Sequence, residues 1–573
     1  MSSVPPSNER SRQAVVDKDG RPSFQWSLTR SSLTDTVKLV AGPFNVLPVV
    51  FVPGIMGSNL KDLSGQPVWR LDNVVGGKPL KLAKQWAFAK PGERQRVLHP
   101  AKVKVDDHGA VPKGSKAQHS ADVYRSRGWG TVSETSYHEF LLWLEEMLNP
   151  TERNPARWPD FYQTEATIGP VPASGEEPKL FPGIRMGLKG EPFHAEKIFS
   201  PLLTDDLLKR SKYLMPVYAV GYNWLDDNKN AAKSLAERIQ GIVKANNQGS
   251  FRCQQVLVVT HSMGGLVARA CAALPGMEST IAGVVHGVMP AVGAAVAYRR
   301  CKVGMADEDY GTGLVIGNTG QEVTAVFAQA PGALELLPTQ QYRDGWLKVY
   351  DAKGQVIGST LPAGDPYESI YLERKQWWGL VNEAWLAPAD GAPMKWDVYR
   401  SNIILAEKFH TKLEGSFHPE TYAFYGANAK SDDKKTSFEC VTWRLKEGLS
   451  SSGRSRPAPT FVRQMAREKI RGEGSSPAYV GGSTVVMPSF GEGPPVVYEA
   501  SDWEIRADRW DGHGDGTVPI SSGSAPLHLG GAKVKQQFRI PNIKHEPAYN
   551  DGTSRMATLY ALTKLAGQAR MPT

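Results

Sequence analysis

The stretch Gln255-Val256-Leu257-Val258-Val259-Thr260-His261-Ser262-Met263-Gly264-Gly265-Leu266-Val267-Ala268-Arg269-Ala270 leaves this chain few ways to fold. Its run of apolar and β-branched residues reads as a strand buried on both faces. A serine follows, then two glycines, then helix formers. That order is a nucleophile elbow, a sharp strand-to-helix turn that lifts a serine hydroxyl above the sheet edge. The turn is strained and a neighbouring strand passes close by, which is why glycines stand there. The Met263 N–H, opening the new helix, faces the place where negative charge develops in acyl transfer. The usual pattern is G-x-S-x-G, and Thr260 replaces its first glycine. An ordinary tight strand–helix turn would carry the same residues, so the reading needs support from the rest of the chain.

That support begins with alternation. Val46 to Val52 and Leu214 to Val220 read as strands, Lys229 to Ala245 as an amphipathic helix, and Ile281 to Gly287 as the strand after the elbow. Strand character returns at Thr421 to Gly426, Phe438 to Leu445 and Gln536 to Ile543, and Thr553 to Leu565 closes the chain as a helix. Strands alternating with helices predict a parallel sheet wrapped by helices. At 573 residues the chain exceeds one ordinary core. The expected layout is an N-terminal arm over 1–45, a first core part over 46–289 and a second over 418–573. The first part is expected to carry an insertion at about 74–125 and a loop at 149–192. The second is expected to carry a mobile excursion at about 448–482. Between the two parts, 290–417 reads as a mainly helical cap. Its first helical segment, Pro366 to Leu386, carries Trp377, Trp378 and Trp385. Its second, Trp396 to Leu413, sets Val398, Asn402, Leu405, Phe409 and Leu413 on one face. Tryptophans on a cap suit a bilayer surface or an acyl chain, and helices packing on one another would use them equally well.

Composition removes several alternatives. With 41% hydrophobic and 22% charged residues the chain is globular. The net charge of +9 is mild; ten Lys/Arg against three acids between Lys78 and Lys116 come with few aromatic residues and no nucleic-acid motif. That stretch reads as a solvated insertion, and no nucleic-acid partner is expected. Cys253, Cys271, Cys301 and Cys440 lack C-x-x-C spacing, which argues against a zinc site or a disulfide scaffold. The first 30 residues lack the apolar core of a secretory signal, and no run approaches the length of a membrane span. The chain is expected to be made in the cytoplasm without a cleaved signal.

A serine hydroxyl attacks an ester only when a base takes its proton and a carboxylate orients that base. In an α/β-hydrolase fold these come in the order Ser, Asp or Glu, His, each on a loop after a strand. Asp515 stands in a glycine-rich loop, Asp511-Gly512-His513-Gly514-Asp515-Gly516-Thr517-Val518-Pro519, and His545 stands just past the final strand. Asp511, then Asp432 or Asp433, are the fallback carboxylates, and His513 and His528 are competing imidazoles. His261 reads as a supporting or packing residue and His286 as a pocket-lining one. The loop Pro53-Gly54-Ile55-Met56-Gly57 follows an early strand, where Ile55 or Met56 would add a second oxyanion N–H beside that of Met263. No metal or organic cofactor is expected, with calcium on Asp511 and Asp515 as the alternative.

Phe51-Val52-Pro53-Gly54-Ile55-Met56-Gly57-Ser58, the His261-Ser262-Met263-Gly264-Gly265 elbow, Tyr422-Ala423-Phe424-Tyr425-Gly426 and Gly514-Asp515-Gly516-Thr517-Val518-Pro519 together resemble the lecithin:cholesterol acyltransferase-like and GPI-inositol-deacylase-like lipases. The resemblance implies an acyl-ester hydrolase or acyltransferase with a cap and a Ser–Asp–His triad, falling on Ser262, Asp515 and His545. The large insertions and missing signal also look like bacterial type VI secretion lipase effectors. That likeness implies attack on the membrane glycerophospholipids of a target cell, delivery into its periplasm, and a cognate immunity protein. Acyl transfer to an alcohol and a catalytically idle hydrolase fold are the alternatives.

Overall fold

Segments rich in β-branched, aromatic and other apolar residues become the strands of the two larger sheets. In chain order they are β1 (Val49–Val52), β2 (Val217–Ala219), β3 (Val256–His261), β4 (Ile281–Gly287), β5 (Leu347–Tyr350), β6 (Thr421–Ala427), β7 (Val441–Glu447), β8 (Ile470–Arg471), β9 (Ala478–Val480), β10 (Trp503–Ala507) and β11 (Val534–Pro541). The structure, a computed structural model, describes residues 44–70, 86, 88–114, 117–149, 195–198, 200, 202, 204–308, 313, 315–351, 353–357, 359–388, 391, 393–428, 433–447, 467, 470–480 and 503–572. It also describes, as strands alone, 9–13, 15–16, 22–23, 36–40, 483–487 and 496–500.

Six strands form a wholly parallel central sheet in the order β2-β1-β3-β4-β6-β11. Every residue of β1, β3, β4 and β6 is buried, as a sheet covered on both faces requires. The period of two sends Val50, Val52 and Val258 to one face and Val49, Phe51, Leu257 and Val259 to the other. Helices cover both faces: α1 (Glu134–Leu148), α2 (Asn228–Ala245), α3 (Gly264–Ala272), α4 (Ala295–Val303), α5 (Gly320–Phe327), α6 (Trp396–Leu413) and α7 (Gly552–Ala566). The buried sides of α2 and α3 join the Val50 face, and those of α1 and α7 join the Phe51 face. Local chemistry sets the helix starts. The Asp227 carboxylate accepts the Lys229 N–H at 2.7 Å to open α2, and Thr319 with Glu322 forms a capping box on α5. Strand order reverses between β1 and β3, so the crevice beyond their carboxyl ends is where such a sheet binds ligands. The three long excursions, after β1, after β4 and after β6, all leave from that same edge.

Several expectations need correction. The region 290–417, expected to be mainly helical, also contributes one short strand to a second sheet. Its strand β5 pairs in parallel with β7, and β10, β9 and β8 complete that sheet by antiparallel pairing. Four-residue β5 is too short to announce itself by periodicity. The segment Phe438 to Leu445 therefore belongs to this second sheet and not to the central one. Residues 470–480, expected to be mobile, supply β8 and β9; the rest of 448–482, apart from Arg467, lies outside the described residues. Pro366 to Leu386 is not one helix: a single π turn at Tyr367–Tyr371 and a 3-10 turn at Glu383–Leu386 flank irregular chain. In α6 the buried side runs through Trp396, Tyr399, Ile403, Ala406, Phe409 and Leu413, which leaves Val398 and Leu405 exposed. The basic insertion is also less solvated than its charge suggested. Trp86 and Arg94 are buried, and Val103–Val105 pairs with Leu60–Asp62 in a small sheet. The side chains of the arm up to residue 43, the loop over 150–192 and Asp432 lie outside the described residues. All four cysteines are buried and unpaired. No helix among the described residues is long and apolar enough to cross a membrane.

Candidate active site

The end of β3 turns at Ser262, whose φ of 53° lies in the left-handed region that a non-glycine residue occupies only under strain. A Cβ on Gly264 would stand 2.4 Å from the Pro53 carbonyl and 2.6 Å from that of Val52, so this glycine lets α3 start against the end of β1. Thr260 fits in place of the usual first glycine because its side chain faces a partner. It lies opposite His286 across β3 and β4, and its hydroxyl is 3.0 Å from His286 Nδ1. His286 is therefore spent on the sheet and does not line the pocket. Burial first, and then the nearby Arg269 charge, push its imidazole down to about 3.

Three side chains from distant loops meet at the elbow. Ser262 Oγ lies 2.8 Å from His545 Nε2, and His545 Nδ1 lies 2.8 Å from Asp515 Oδ2. A carboxylate only accepts, so Nδ1 carries the proton and the bare Nε2 faces the serine O–H. Asp515 is held in turn by its own loop: Oδ1 accepts the N–H groups of Thr517 at 2.9 Å and Val518 at 2.7 Å. The His545 N–H also binds the Asp515 carbonyl at 2.8 Å, which ties the two loops by backbone as well as side chain. Gly426, next to last in β6, makes room for this, since a Cβ there would stand 2.6 Å from Asp515 Cβ. The competing groups are occupied elsewhere. Asp511 accepts the Glu439 and Cys440 N–H groups, and His513 lies 3.2 Å from Lys435 Nζ. Asp511 and Asp515 are thus each held by separate backbone partners. Among the described residues the clustered metal-type ligands are Asp106, Asp107 and His108, where Arg70 and Lys61 neutralise the carboxylates.

Beside the serine, Gly54 to Gly57 form a tight turn closed by Gly57 N–H to the Gly54 carbonyl at 3.1 Å. Met56 sits at its third position with φ 63°, and its carbonyl accepts the Trp69 indole N–H at 2.8 Å. Ile55 and Met56 thus lie at the lip of the cavity that Ser262 opens into, and Met263 begins α3 below it. This cavity measures about 410 Å³, within the range of small-molecule sites, and its wall is chiefly apolar: Val296, Ala297, Met305, Val315, Phe327 and Leu336 among others. Its cationic wall residue, Arg300, is engaged by Glu308 at 2.9 Å and 3.2 Å. The tryptophan on the cavity is Trp69. Trp377 instead packs in the core edge-on to Trp443 of β7 at 5.2 Å, Trp378 is partly buried against that core, Trp385 is buried beneath Lys302, and none of the three lines the cavity. Trp69 and Tyr137 were not singled out from sequence. Tyr137 lies in the first turn of α1, and nothing local in the sequence marks either residue as facing the serine.

Comparison with known proteins bears on the fold. A family model described as the PGAP1-like alpha/beta domain matches residues 219–302, which span β2's end through α4 and include the elbow. Among solved structures, a chain in the crystal structure of the Tle4–Tli4 complex is 29% identical, with a TM-score of 0.67 over 91% of this chain and 99% of that one. No match was found among curated proteins. The fold is an α/β-hydrolase fold, a mostly parallel central sheet flanked by helices.

Proposed function

We propose, from a chain that carries a PGAP1-like α/β domain in a hydrolase fold shared with Tle4, that it is a serine lipase acting on acyl esters of membrane glycerophospholipids. The observation that carries this reading is the serine hydroxyl 2.8 Å from an imidazole that is itself oriented by a carboxylate, at the mouth of an apolar cavity. In the reaction His545 takes the Ser262 proton as Oγ attacks the ester carbonyl carbon. The N–H groups of Met263 and of Ile55 or Met56 hold the oxyanion. Collapse breaks the ester C–O bond, His545 gives its proton to the departing lyso-lipid oxygen, and an acyl-serine remains. Water, deprotonated by His545, then releases the fatty acid. An acyl chain suits the apolar wall, and no step calls on a metal or organic cofactor.

The same reading extends to biology. Tle4 was crystallised with Tli4, which supports a type VI effector role here, with a cognate immunity protein at home and a target-cell membrane as substrate. The test is Ser262→Ala against the wild-type chain on phosphatidylglycerol and phosphatidylethanolamine vesicles, with products resolved by mass. Loss of at least about 10³-fold, with lyso-lipid and free fatty acid as the wild-type products, is expected. Sent to the periplasm of a bacterium, the wild-type chain should halt growth and the variant should not. Undiminished hydrolysis by Ser262→Ala would remove the serine from the reaction, and acylated alcohol in place of fatty acid would make the chain a transferase.

A further inference from the structure

The residue before the nucleophile is used for more than packing. His261 is almost fully buried, and its ring lies against Tyr137, Tyr549 and the ring of His545. Its Nε2 lies 2.8 Å from the backbone carbonyl oxygen of His545. A carbonyl only accepts, so Nε2 carries the hydrogen. Burial first, and then the neighbouring His545, push this imidazole down to about 3, so the ring is neutral and owns one N–H. Nδ1 is then a bare acceptor, and it lies 3.0 Å from the Tyr137 hydroxyl, which must donate to it. The Tyr137 oxygen keeps a lone pair, and the Gly54 N–H fills it at 3.2 Å. Every proton in the series has one direction: Gly54 N–H to Tyr137, Tyr137 O–H to His261, His261 N–H to the His545 carbonyl. The approach is close at both ends. A Cβ on Gly54 would meet His261 Nδ1 at 2.9 Å, and one on Gly57 would meet the Tyr137 oxygen at 2.6 Å.

Gly54 opens the turn that holds the Ile55 and Met56 N–H groups, and His545 is the base. We infer that Tyr137 and His261 are positioning residues that fix the oxyanion turn and the general base to one imidazole, and so set the distance between them. This rests on the reading of Ser262, His545 and the Gly54–Gly57 turn given above. The consequence is selective. Removing the relay should loosen groups used in the transition state and leave ground-state binding in the apolar cavity unchanged.

Tyr137→Phe keeps the ring and deletes the hydroxyl, leaving the Gly54 N–H and His261 Nδ1 unpaired. On a short p-nitrophenyl ester, kcat should fall about 10- to 100-fold with KM within twofold. The inhibition constant of an alkyl boronic acid, which mimics the tetrahedral state at Ser262, should rise by a similar factor. A role in stability alone would lower the melting temperature without moving those two quantities together. His261→Gln, which retains a donor for the His545 carbonyl, should lose less than His261→Leu, and this pair decides the matter if Tyr137→Phe does not fold. Folded variants with kcat and boronate affinity within twofold of wild type would overturn the inference, as would equal losses in the Gln and Leu variants. Ser262→Ala in the same series separates the two claims: if it stays active the reading of the site fails, and if it is dead while Tyr137→Phe is normal only the relay fails.

Discussion

Asp515 shows how much of the site rests on single atoms. One carboxylate oxygen takes two backbone N–H groups and the other orients His545, so both oxygens are committed. Asp515→Asn would keep the shape and offer an amide N–H where the imidazole expects an acceptor, turning the ring to the wrong tautomer. The expected result is a fall in kcat of about 10⁴ with KM little changed, measured on a soluble ester. Ser262, Asp515 and His545, which the structure brings together, were legible as candidates in the sequence: the first and last each follow a strand, and the second stands in a glycine-rich loop. His286 was not, because a histidine ending a core strand looks the same whether it faces a pocket or a neighbouring strand. Only the cross-strand register with Thr260 separates the two, and the same pairing explains why a threonine is accepted where the motif has glycine.

At the level of elements, the two elbow glycines differ in what they avoid. A Cβ on Gly264 would strike backbone carbonyls of the β1 end, which cannot yield without moving the strand, whereas one on Gly265 would strike the Met289 side chain, which can swing aside. Gly264→Ala should therefore cost about 1–3 kcal/mol or more, and Gly265→Ala well under that, read from denaturant melts of the two variants. The central strands were legible for the reason that makes them stable: two-sided burial demands unbroken apolar runs. The second sheet was hidden because its strands are short and widely separated in sequence, and their partners are non-local. In α6 the error was one of phase. Val398 and Leu405 are apolar yet exposed, while Tyr399 and Ile403 carry the packing, and single exposed apolar residues are too ordinary to show which side is inside.

For the whole molecule, stability should track the protonation of buried imidazoles. His261 and His286 are held down to about 3 and His410 to about 4, in each case chiefly by burial. Above pH 6.5 both folded and unfolded chains keep these rings neutral and nothing is lost. As pH falls below 6.5 the unfolded chain takes up protons that the folded one refuses, so stability declines toward pH 3–4. By pH 5 each ring should cost about 2 kcal/mol, visible as a lower urea midpoint than at pH 7, and His286→Gln should flatten the dependence. A protein whose stability did not change between those two values would contradict the burial of these rings.

The excursions after β1, β4 and β6 share an edge, and that has a bearing on how such a chain diversifies. The six parallel strands act as a floor whose upper rim alone is open to addition. Residues contributed by the first two excursions, Trp69, Val296, Arg300 and Phe327 among them, roof the chamber above the serine, while none of the strand interiors does. Selection for a new lipid can therefore rebuild the roof and leave the six-stranded floor untouched.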